Sequence, residues 1–378
     1  MKVTFIIQDM FARGAQYVTA RMVEGFVNRG YDVDLVVSQY HNKLLSEGNA
    51  NFFKVPQNTN WIFLRHLHAR NNILEIRHYL KTTDSLAVFS MSTGYTHALR
   101  MASIGLRQRP KLIHVEHFLA GYDDLGRKAK STMKWSLNAF WRRWYWGGFD
   151  RVFVITRGGG KDFLRMNPWY PVASVRIVNN PAIGDDFWTR INGEPSHPWL
   201  LDVNTEWKTF VAADAFVESK GHRYLIDAMK ILAKRGKKVR TLLFGQGDLE
   251  KEYRRLITEN NLEQYVAIAG YSRNIPAELA HAHGYVKTSL VEPFGISLVE
   301  GLAAGCRVVS FDCPFGPQEI LDSGRYGQLV PVGDSQSLAD AITEAAKENR
   351  TTPAQKSWGR YTIETTVNKY IDGLDLGL

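Results

Sequence analysis

The sequence predicts an α/β protein with two doubly wound parallel sheets, each forming its own domain. Three observations favour this class: short apolar runs that suit strands buried on both faces, helical patterns between these runs, and an irregular stretch after which the alternation restarts. Strands that alternate with helices are typical of parallel sheets. Because open α/β sheets bind ligands at the carboxyl ends of their strands, we expect a ligand cleft between the two halves.

The first half contains five apolar runs that are rich in β-branched residues. They lie at 3–8, 33–38, 86–90, 112–117 and 151–156. The pattern over 16–30 predicts a helix that ends on a glycine, which is a common helix terminator. We therefore assign residues 1–185 to an N-terminal domain.

The second half repeats the alternation after a connection at 185–208 that is rich in Pro, Asn and Trp. Predicted strands lie at 209–214, 239–245, 265–271, 284–289 and 307–312, and predicted helices lie at 221–235, 248–260 and 296–304. We assign residues 186–360 to a C-terminal domain and expect a last helix, 361–378, to pack back on the first domain.

The composition is that of an ordinary globular protein. The chain has 378 residues, of which 44% are hydrophobic and 22% charged. No apolar run approaches the roughly 18 residues of a membrane span, and the first residues do not resemble a signal peptide. The two cysteines, Cys306 and Cys313, are too few for a disulfide framework or a zinc site. A cytoplasmic location is therefore expected.

The net charge of +9 is unevenly distributed. Residues 1–185 hold 25 Lys and Arg against 13 Asp and Glu, whereas the rest holds 22 against 25. This basic excess could attract nucleic acid, an anionic membrane surface or a phosphorylated substrate. The charge alone does not choose among them.

The segment VEPFGISLVEGLAAG places two carboxylates around the start of a predicted helix. Gly295 opens this helix, whose first amide groups are unpaired and suit a phosphate. Glu300, one turn into the helix, could accept hydrogen bonds from a ribose diol, and Glu292 could accept them from a bound sugar. The alternative is that Glu300 complements the helix dipole and Glu292 is a solvated loop residue.

Residues 289–334 of this block resemble the C-terminal motif of retaining GT-B glycosyltransferases of family GT4. The resemblance implies a GT-B fold, in which two Rossmann-like domains face each other across a cleft. It implies that Glu300 binds the ribose and that Glu292 contacts the transferred sugar. It also implies a nucleotide diphosphate on the helix start, at Gly295, Ile296, Ser297 and Leu298.

Further matches to the family lie elsewhere in the chain. The stretch 12–37 is similar to the first strand-loop-helix of the family and places Gly14 at the glycine that faces the donor phosphates. HVEHF resembles the motif whose last histidine, His117, lies near the donor sugar. The stretches 242–253 and 271–282 resemble loops around the base, which implies donor contacts for Arg273 and Asn274.

One position departs from the family pattern. Lys220 and Gly221 match a Lys-Gly pair, but the preceding Gly-Arg of the family is Asp214-Ala215 here. One cation of the pair that neutralises the diphosphate is therefore missing. Arg223 and Arg273 are candidates to replace it.

The resemblance implies transfer of a hexosyl or N-acetylhexosaminyl group, with retention, from a nucleotide diphosphate sugar to a glycan or lipid-linked acceptor of bacterial surface polysaccharide synthesis. UDP is the expected nucleotide. Glu292, His117 and Lys220 are the predicted catalytic residues, and front-face attack is the expected route. No Asp-x-Asp motif or His/Cys cluster suggests a metal, and no cofactor is expected.

The segment 127–149 mixes basic and aromatic residues, a composition that suits peripheral contact with an anionic membrane. A helix that packs in the core with a solvated basic side is the alternative. Binding of single-stranded nucleic acid is a second and weaker alternative, because no nucleic-acid motif accompanies the aromatics.

Two other functions stay open for the whole chain. An epimerase on the same fold fits the glutamate helix in part. A non-catalytic sugar-nucleotide sensor or assembly partner is conceivable because Ala215 replaces the arginine.

Overall fold

The computed structural model describes residues 1–11, 14–38, 55–117, 143–202, 206–350 and 352–375. Within these residues, the chain up to Ala182 and the segment from Thr362 onward form one compact unit, and Ile183–Tyr361 forms the other. The boundary thus lies after Ala182, whereas the sequence pattern places it after residue 185.

The first unit contains a seven-stranded parallel sheet with the order β3-β2-β1-β4-β5-β6-β7. Its strands are β1 Lys2–Ile6, β2 Asp32–Ser38, β3 Asn60–Leu64, β4 Ala87–Ser90, β5 Lys111–Glu116, β6 Arg151–Val154 and β7 Val175–Ile177. Its described helices are α1 Gly14–Asn28, α2 Ile73–Thr82, α3 Thr93–Ala102 and α4 Arg157–Met166. The helix at the far end of the chain, α14 Ile363–Gly373, completes this unit.

The second unit contains a six-stranded parallel sheet with the order β10-β9-β8-β11-β12-β13. Its strands are β8 Lys208–Ala213, β9 Val239–Phe244, β10 Val266–Gly270, β11 Gly284–Lys287, β12 Arg307–Phe311 and β13 Gln328–Val330. Its helices are α5 Asp185–Arg190, α6 Pro198–Leu201, α7 His222–Lys234, α8 Glu250–Glu259, α9 Ile275–His281, α10 Ile296–Ala303, α11 Gly316–Ile320, α12 Ser335–Lys347 and α13 Gln355–Trp358.

The predicted fold class is confirmed, because both sheets are parallel and helices alternate with their strands. Three strands escaped prediction: β3, β7 and β13. β3 reads NWIFL and has a run of only four apolar residues, and β7 and β13 have just three residues each. The predicted connection at 185–208 contains the short helices α5 and α6.

Each unit buries its own core. In the second unit, apolar residues of β8, β9, β11 and β12 pack against α7, α8 and α12. In the first unit, Tyr370 of α14 is fully buried and meets the rings of Phe89 and Phe153 edge-on, with ring centroids 6.2 and 4.9 Å away. The aromatic contacts therefore fix α14 to the sheet of the first unit.

Candidate functional site

The charged residues of the second unit gather where its strand order reverses. The chain runs from β8 to β9 and β10 on one side, then returns to place β11 on the other side of β8. Asp214 follows β8 directly, and Lys287 ends β11. The carboxyl ends of these two strands therefore flank the switch point, where open α/β sheets bind ligands.

Four charged side chains meet at this point and form what we call the switch-point cluster: Asp214, Lys220, Lys287 and Glu292. The Nζ atom of Lys287 lies 2.8 Å from both carboxylate oxygens of Asp214 and 2.9 Å from Oε2 of Glu292. The Nζ atom of Lys220 lies 2.8 Å from the same Glu292 oxygen. Two cations thus share one carboxylate, and the cluster as a whole is neutral.

The ion pairs fix the charge state of the cluster. Burial alone would raise the pKa of Glu292, but the ammonium groups of Lys287 and Lys220 outweigh burial and hold that pKa well below its usual range. Burial opposes the charge on Lys287, yet Asp214 and Glu292 raise its pKa above the ordinary value. The pKa of Lys220 is raised against burial by Glu292 in the same way. All three groups are therefore charged at neutral pH.

Lys220 is positioned by a tight turn. It ends a short 3-10 helix, and Gly221 follows in the left-handed conformation with φ of 64° and opens α7. A Cβ atom on Gly221 would lie 2.2 Å from the carbonyl oxygen of Thr288, so only glycine fits. The Thr288 hydroxyl donates a hydrogen bond of 2.9 Å to the Lys220 carbonyl. The turn therefore brings Lys220 beside the end of β11.

The start of α10 lies next to Glu292 in the chain. Gly295 has φ of 105°, a conformation that favours glycine, and its carbonyl accepts from the amide of Leu298 at 3.0 Å. The prediction of a free amide at Leu298 is therefore wrong, because that group closes the first turn of the helix. The amides of Gly295, Ile296 and Ser297 donate to no acceptor within the described residues, so three donors remain available to an anion.

The side chain of Ser297 connects α10 to the switch-point cluster. Its hydroxyl accepts from Tyr285 at 2.7 Å and lies 3.3 Å from Nζ of Lys287. Glu300 lies one turn further along the helix and is 8% exposed. The structure thus brings Lys220, Glu292, Ser297 and Glu300 together on neighbouring elements of one unit.

Arg273 and Asn274 lie apart from this group, after the edge strand β10. Arg273 is exposed. The amide nitrogen of Asn274 donates 2.9 Å to the carbonyl of Arg190, which anchors the end of α5, while its buried Oδ1 has no partner within the described ranges. A donor contact for either residue stays a prediction.

The position of the missing arginine is open to solvent. Ala215 is exposed and follows Asp214 of the cluster. Arg223, one candidate replacement, pairs with Glu252 at 3.3 Å on an exposed surface.

Lys287 was not predicted at all. Its signal was available in the sequence, as a lysine inside the otherwise apolar strand run GYVKTS.

Gly14 and His117 belong to the first unit. Gly14 begins α1, and a side chain added there would meet no atom within 4 Å. His117 follows β5; burial, together with the neighbouring His114, lowers its pKa to about 4, so its ring is neutral at pH 7. Its buried Nε2 atom has no hydrogen-bond partner in the part of the chain that the structure describes.

A hydrogen-bonded chain at the carboxyl edge of the first sheet also escaped prediction. Ser90 Oγ lies 2.7 Å from Thr96 Oγ1, which lies 3.0 Å from Nδ1 of His114. Nε2 of His114 lies 3.3 Å from Glu116. Because a carboxylate only accepts, Nε2 of His114 donates to Glu116, while the Thr96 hydroxyl donates to the carbonyl of Ser92 at 2.9 Å. This His114 chain fixes the strand end that leads into His117.

Most of the predicted membrane segment, 127–142, lies outside the described residues. In its described remainder, Trp146 meets the rings of His114 and Phe163 at centroid distances of 4.9 and 5.1 Å, and the guanidinium of Arg100 lies 4.5 Å over Trp144. These aromatics pack within the first unit, as the core-packing alternative expected. Membrane contact stays a prediction.

The described residues include neither a membrane-spanning helix nor a cluster of metal-binding side chains. No helix among them is long and apolar enough to cross a membrane. No group of three or more His, Cys, Asp and Glu side chains within these ranges is arranged to hold a metal ion. Metal independence of the reaction stays a prediction.

Comparison with protein families matches both halves of the chain. Residues 197–365 match the family described as glycosyl transferases group 1, and residues 12–182 match the family described as glycosyltransferase family 4. The two matches together leave only short segments of the chain uncovered.

Curated relatives are similar over part of their length. Poly(ribitol-phosphate) α-N-acetylglucosaminyltransferase of Staphylococcus aureus is 24% identical over 70% of this chain and 48% of its own. A Campylobacter jejuni enzyme, N-acetylgalactosamine-N,N'-diacetylbacillosaminyl-diphospho-undecaprenol 4-α-N-acetylgalactosaminyltransferase, is 28% identical over 46% of this chain and 49% of its own. The chain thus spans about half the length of these relatives.

A solved structure shares the fold over the whole chain. Anabaena HepE in complex with UDP and glucose superimposes with a TM-score of 0.72 and 18% identity, and the match covers 99% of both chains. The predicted GT-B architecture is therefore confirmed.

Proposed function

Because the chain belongs to the GT4-type GT-B glycosyltransferases, we propose that it transfers a hexosyl or N-acetylhexosaminyl group from a UDP-sugar to a hydroxyl group of a glycan or lipid-linked acceptor. One observation carries the proposal. At the switch point of the second unit, the buried carboxylate of Glu292 and the ammonium of Lys220 lie beside a helix start with three available amide donors. A sugar with a diphosphate leaving group needs these two kinds of contact.

The proposed transfer breaks the bond between C1 of the sugar and the diphosphate oxygen, which keeps the electron pair. The acceptor oxygen forms its bond to C1 on the same face, and its proton passes to the departing diphosphate. Atoms and charge balance without a covalent enzyme intermediate, and the configuration at C1 is retained. The protein contributes positioning and stabilisation of the charge that develops on the leaving oxygen.

Each residue has a role that follows from its chemistry. The ammonium of Lys220 and the amides of Gly295 to Ser297 bind the diphosphate, because all of them donate hydrogen bonds to an anion. Glu292, held ionised, accepts from the sugar hydroxyls. His117, neutral at pH 7, offers an uncharged ring to the donor sugar; this role rests on the family resemblance alone.

The donor is tested by calorimetry with UDP-, GDP- and ADP-sugars. UDP-sugars are favoured because the HepE structure, which shares the fold, holds UDP. Glu300→Gln should weaken UDP-sugar binding about tenfold, since a ribose hydrogen bond to a carboxylate contributes about 1.5–3 kcal/mol. Glu344→Gln, on the exposed face of α12, is the control. Equal affinities of wild type and Glu300→Gln would remove Glu300 from the ribose site.

The acceptor should be acidic. The names of the two curated relatives specify a poly(ribitol-phosphate) and a diphospho-undecaprenol acceptor, both of which carry phosphate. The basic excess in residues 1–185 complements such a substrate. Transfer of radiolabelled sugar to polyol-phosphate and polyprenyl-diphosphate acceptors, compared with neutral glycans, tests this. Preference for the neutral glycans would overturn it.

Retention and metal independence have separate tests. Nuclear magnetic resonance of the product should show the α-anomer from an α-linked donor, in line with the α-transferase names of the relatives. Activity should survive EDTA. A β-linked product would overturn the front-face route, and loss of activity in EDTA that Mg²⁺ or Mn²⁺ restores would overturn metal independence.

Slow hydrolysis of the donor distinguishes the alternatives. A transferase without its acceptor should release free sugar and UDP from UDP-glucose or UDP-GlcNAc. A sugar-nucleotide sensor would bind the donor and leave it intact, and an epimerase would return a different UDP-sugar. Chromatography of the nucleotide products separates these three outcomes.

A further inference from the structure

Lys287 is a buried charge that the proposed reaction leaves without a role. Its side chain is 2% exposed at the end of β11, in the middle of the second sheet. Burying an ammonium group costs several kcal/mol unless partners surround it. A lysine at such a position therefore depends on the acceptors that the fold places around it.

The donors of Lys287 are all used by the protein. An ammonium has three N–H groups, and Nζ lies 2.8 Å from each oxygen of Asp214, 2.9 Å from Glu292 and 3.3 Å from Ser297. Four protein acceptors compete for three hydrogens. Lys287 therefore has no hydrogen left for a phosphate, unlike a cation that binds the donor directly.

The two oxygens of Glu292 differ in their contacts. Oε2 accepts from Lys220 at 2.8 Å, from Lys287 at 2.9 Å and from Ser289 at 3.3 Å. Oε1 accepts no hydrogen bond from the residues that the structure describes. One oxygen is thus fixed by the protein, and the other is directed to whatever binds beside it.

Lys220 is placed differently from Lys287. Its side chain is 24% exposed, and apart from Glu292 its nearest charged partner is Asp214, at 3.6 Å. That distance lies beyond a hydrogen bond. Lys220 therefore retains N–H groups for an anion and can turn toward one without leaving Glu292 unpaired, provided that Lys287 stays in place.

We propose that Lys287, held by Asp214, is a positioning residue that clamps Oε2 of Glu292 and thereby frees Lys220 to bind the leaving diphosphate. The inference rests on the proposed function, and it adds a division of labour between the two lysines. Asp214 and Ala215 stand at the positions where the family pattern has Gly-Arg. The carboxylate of Asp214 provides the counterion that lets a second cation sit inside the sheet instead of across from the phosphates.

The central test is Lys287→Met, assayed by hydrolysis of UDP-glucose and UDP-GlcNAc. Methionine keeps the length of the stem and removes the charge. We expect kcat to fall about 10- to 100-fold, less than the 10²–10³-fold loss of a group that touches the developing charge, with KM within about threefold. Lys220→Met should instead raise KM and lower kcat about 10²–10³-fold, since it removes a direct contact with the leaving diphosphate. Lys234→Met, exposed at the end of α7, is the control.

The pH profile gives a readout that a merely structural role would not move. Without Lys287, the pKa of Glu292 should rise toward its ordinary value, so the acid limb of kcat should move up by at least about one pH unit. Lys220, Lys287, Tyr285 and Cys313 interact with Glu292 itself, and His222 interacts with Asp214, Lys220 and Lys287 of the same cluster. His222→Met in the Lys287→Met background shows whether the limb belongs to the histidine.

A second variant guards against misfolding of the first. Asp214→Asn combined with Lys287→Met removes one charge of each sign, so the remaining Lys220 and Glu292 stay balanced. This double variant should unfold close to the wild-type temperature and show the same loss of kcat and the same shifted limb. A folded double variant with wild-type kcat and an unchanged pH profile would overturn the inference.

The outcomes separate this inference from the proposed function. If the wild-type protein hydrolyses UDP-sugars and the variants keep its kcat and pH profile, the proposed role of Lys287 is wrong and the proposed function stands. Wild-type protein that neither binds nor hydrolyses any of the nucleotide sugars tested overturns the proposed function, and the inference falls with it.

Discussion

The polar side chains buried at the carboxyl edges of the two sheets are stabilised in different ways. In the second unit, four charged side chains pair into the neutral switch-point cluster around Glu292. In the first unit, the His114 chain links Ser90 to Glu116 through hydroxyl and imidazole groups. Full charges suit the diphosphate site proposed for this unit. The His114 chain has one carboxylate, at its end, and its hydroxyl and imidazole groups fix the geometry of the strand end.

Removal of the carboxylate of Glu292, which Lys220 and Lys287 share, should cause the largest loss of activity. Glu292→Gln keeps the size of the side chain but deprives two lysines of their common partner and the sugar of its acceptor. We expect kcat for UDP-sugar hydrolysis to fall about 10²–10³-fold. The control is Glu344→Gln, an exposed change on α12. Activity of Glu292→Gln within tenfold of wild type would contradict the proposed role.

The equivalent change at the first edge should affect stability and spare donor chemistry. His114→Leu removes the bonds to Thr96 and Glu116 inside the fold, so the free energy of unfolding should fall by about 1–3 kcal/mol. Denaturant unfolding measures this change. Donor hydrolysis should fall far less than in Glu292→Gln, because His114 affects the predicted site residue His117 only through the strand end, and a loss as large as that of Glu292→Gln would mean that the two edges are not distinct in function.

Acid should destabilise both edges through one buried histidine each, His117 and His222. Burial lowers the pKa of both to about 4. The unfolded chain binds the proton near pH 6.5, so the free energy of unfolding should be constant above pH 6.5 and fall as the pH decreases toward 4. We expect about 1–3 kcal/mol from His222, which is 1% exposed.

Thermal unfolding between pH 7 and 4 measures this slope. His222→Met should remove the contribution of the second unit to this pH dependence, because methionine does not titrate. The slope would then come from His117 and the other histidines of lowered pKa. An identical slope in the variant would show that His222 does not carry the effect.

The smallest effect is expected at Arg223. If Lys220 and the amides of α10 suffice for the diphosphate, Arg223→Gln should change kcat/KM less than about twofold, since its exposed pair with Glu252 contributes little. A tenfold loss would identify Arg223 as the replacement for the arginine missing at Ala215. That result would mean that a surface residue, and not one inside the sheet, replaces the missing cation.

The comparison also shows what the sequence could predict. Lys220, Glu292 and Glu300 stand in local patterns, so their neighbourhood was foreseeable from a few residues each. Lys287 and Asp214 are 73 residues apart, and they meet only because β11 returns to the side of β8. Hydrophobic periodicity identifies strands but carries no information on their order, so this pair was out of reach.

Hydrogen-bond geometry set a second limit. The amide of Leu298 was predicted to be free because an α-helix leaves its first four amides unpaired. The closing turn at Gly295 uses it instead. The edge strands β3, β7 and β13 were missed because they are short, with an apolar run of only four residues in β3 and three residues in each of the others. The site residues were thus easier to predict than the contacts that fix them.

The position of α14 has a consequence for how the protein is made. Residues Thr362 onward complete the first unit, although Ile183–Tyr361 is synthesised between them and the rest of that unit. During translation, the rings of Phe89 and Phe153 therefore lack their contact with Tyr370 until all of the second unit has been synthesised. A nascent chain released before α14 emerges should bind chaperones through this uncovered aromatic face, even though its sheet is already complete.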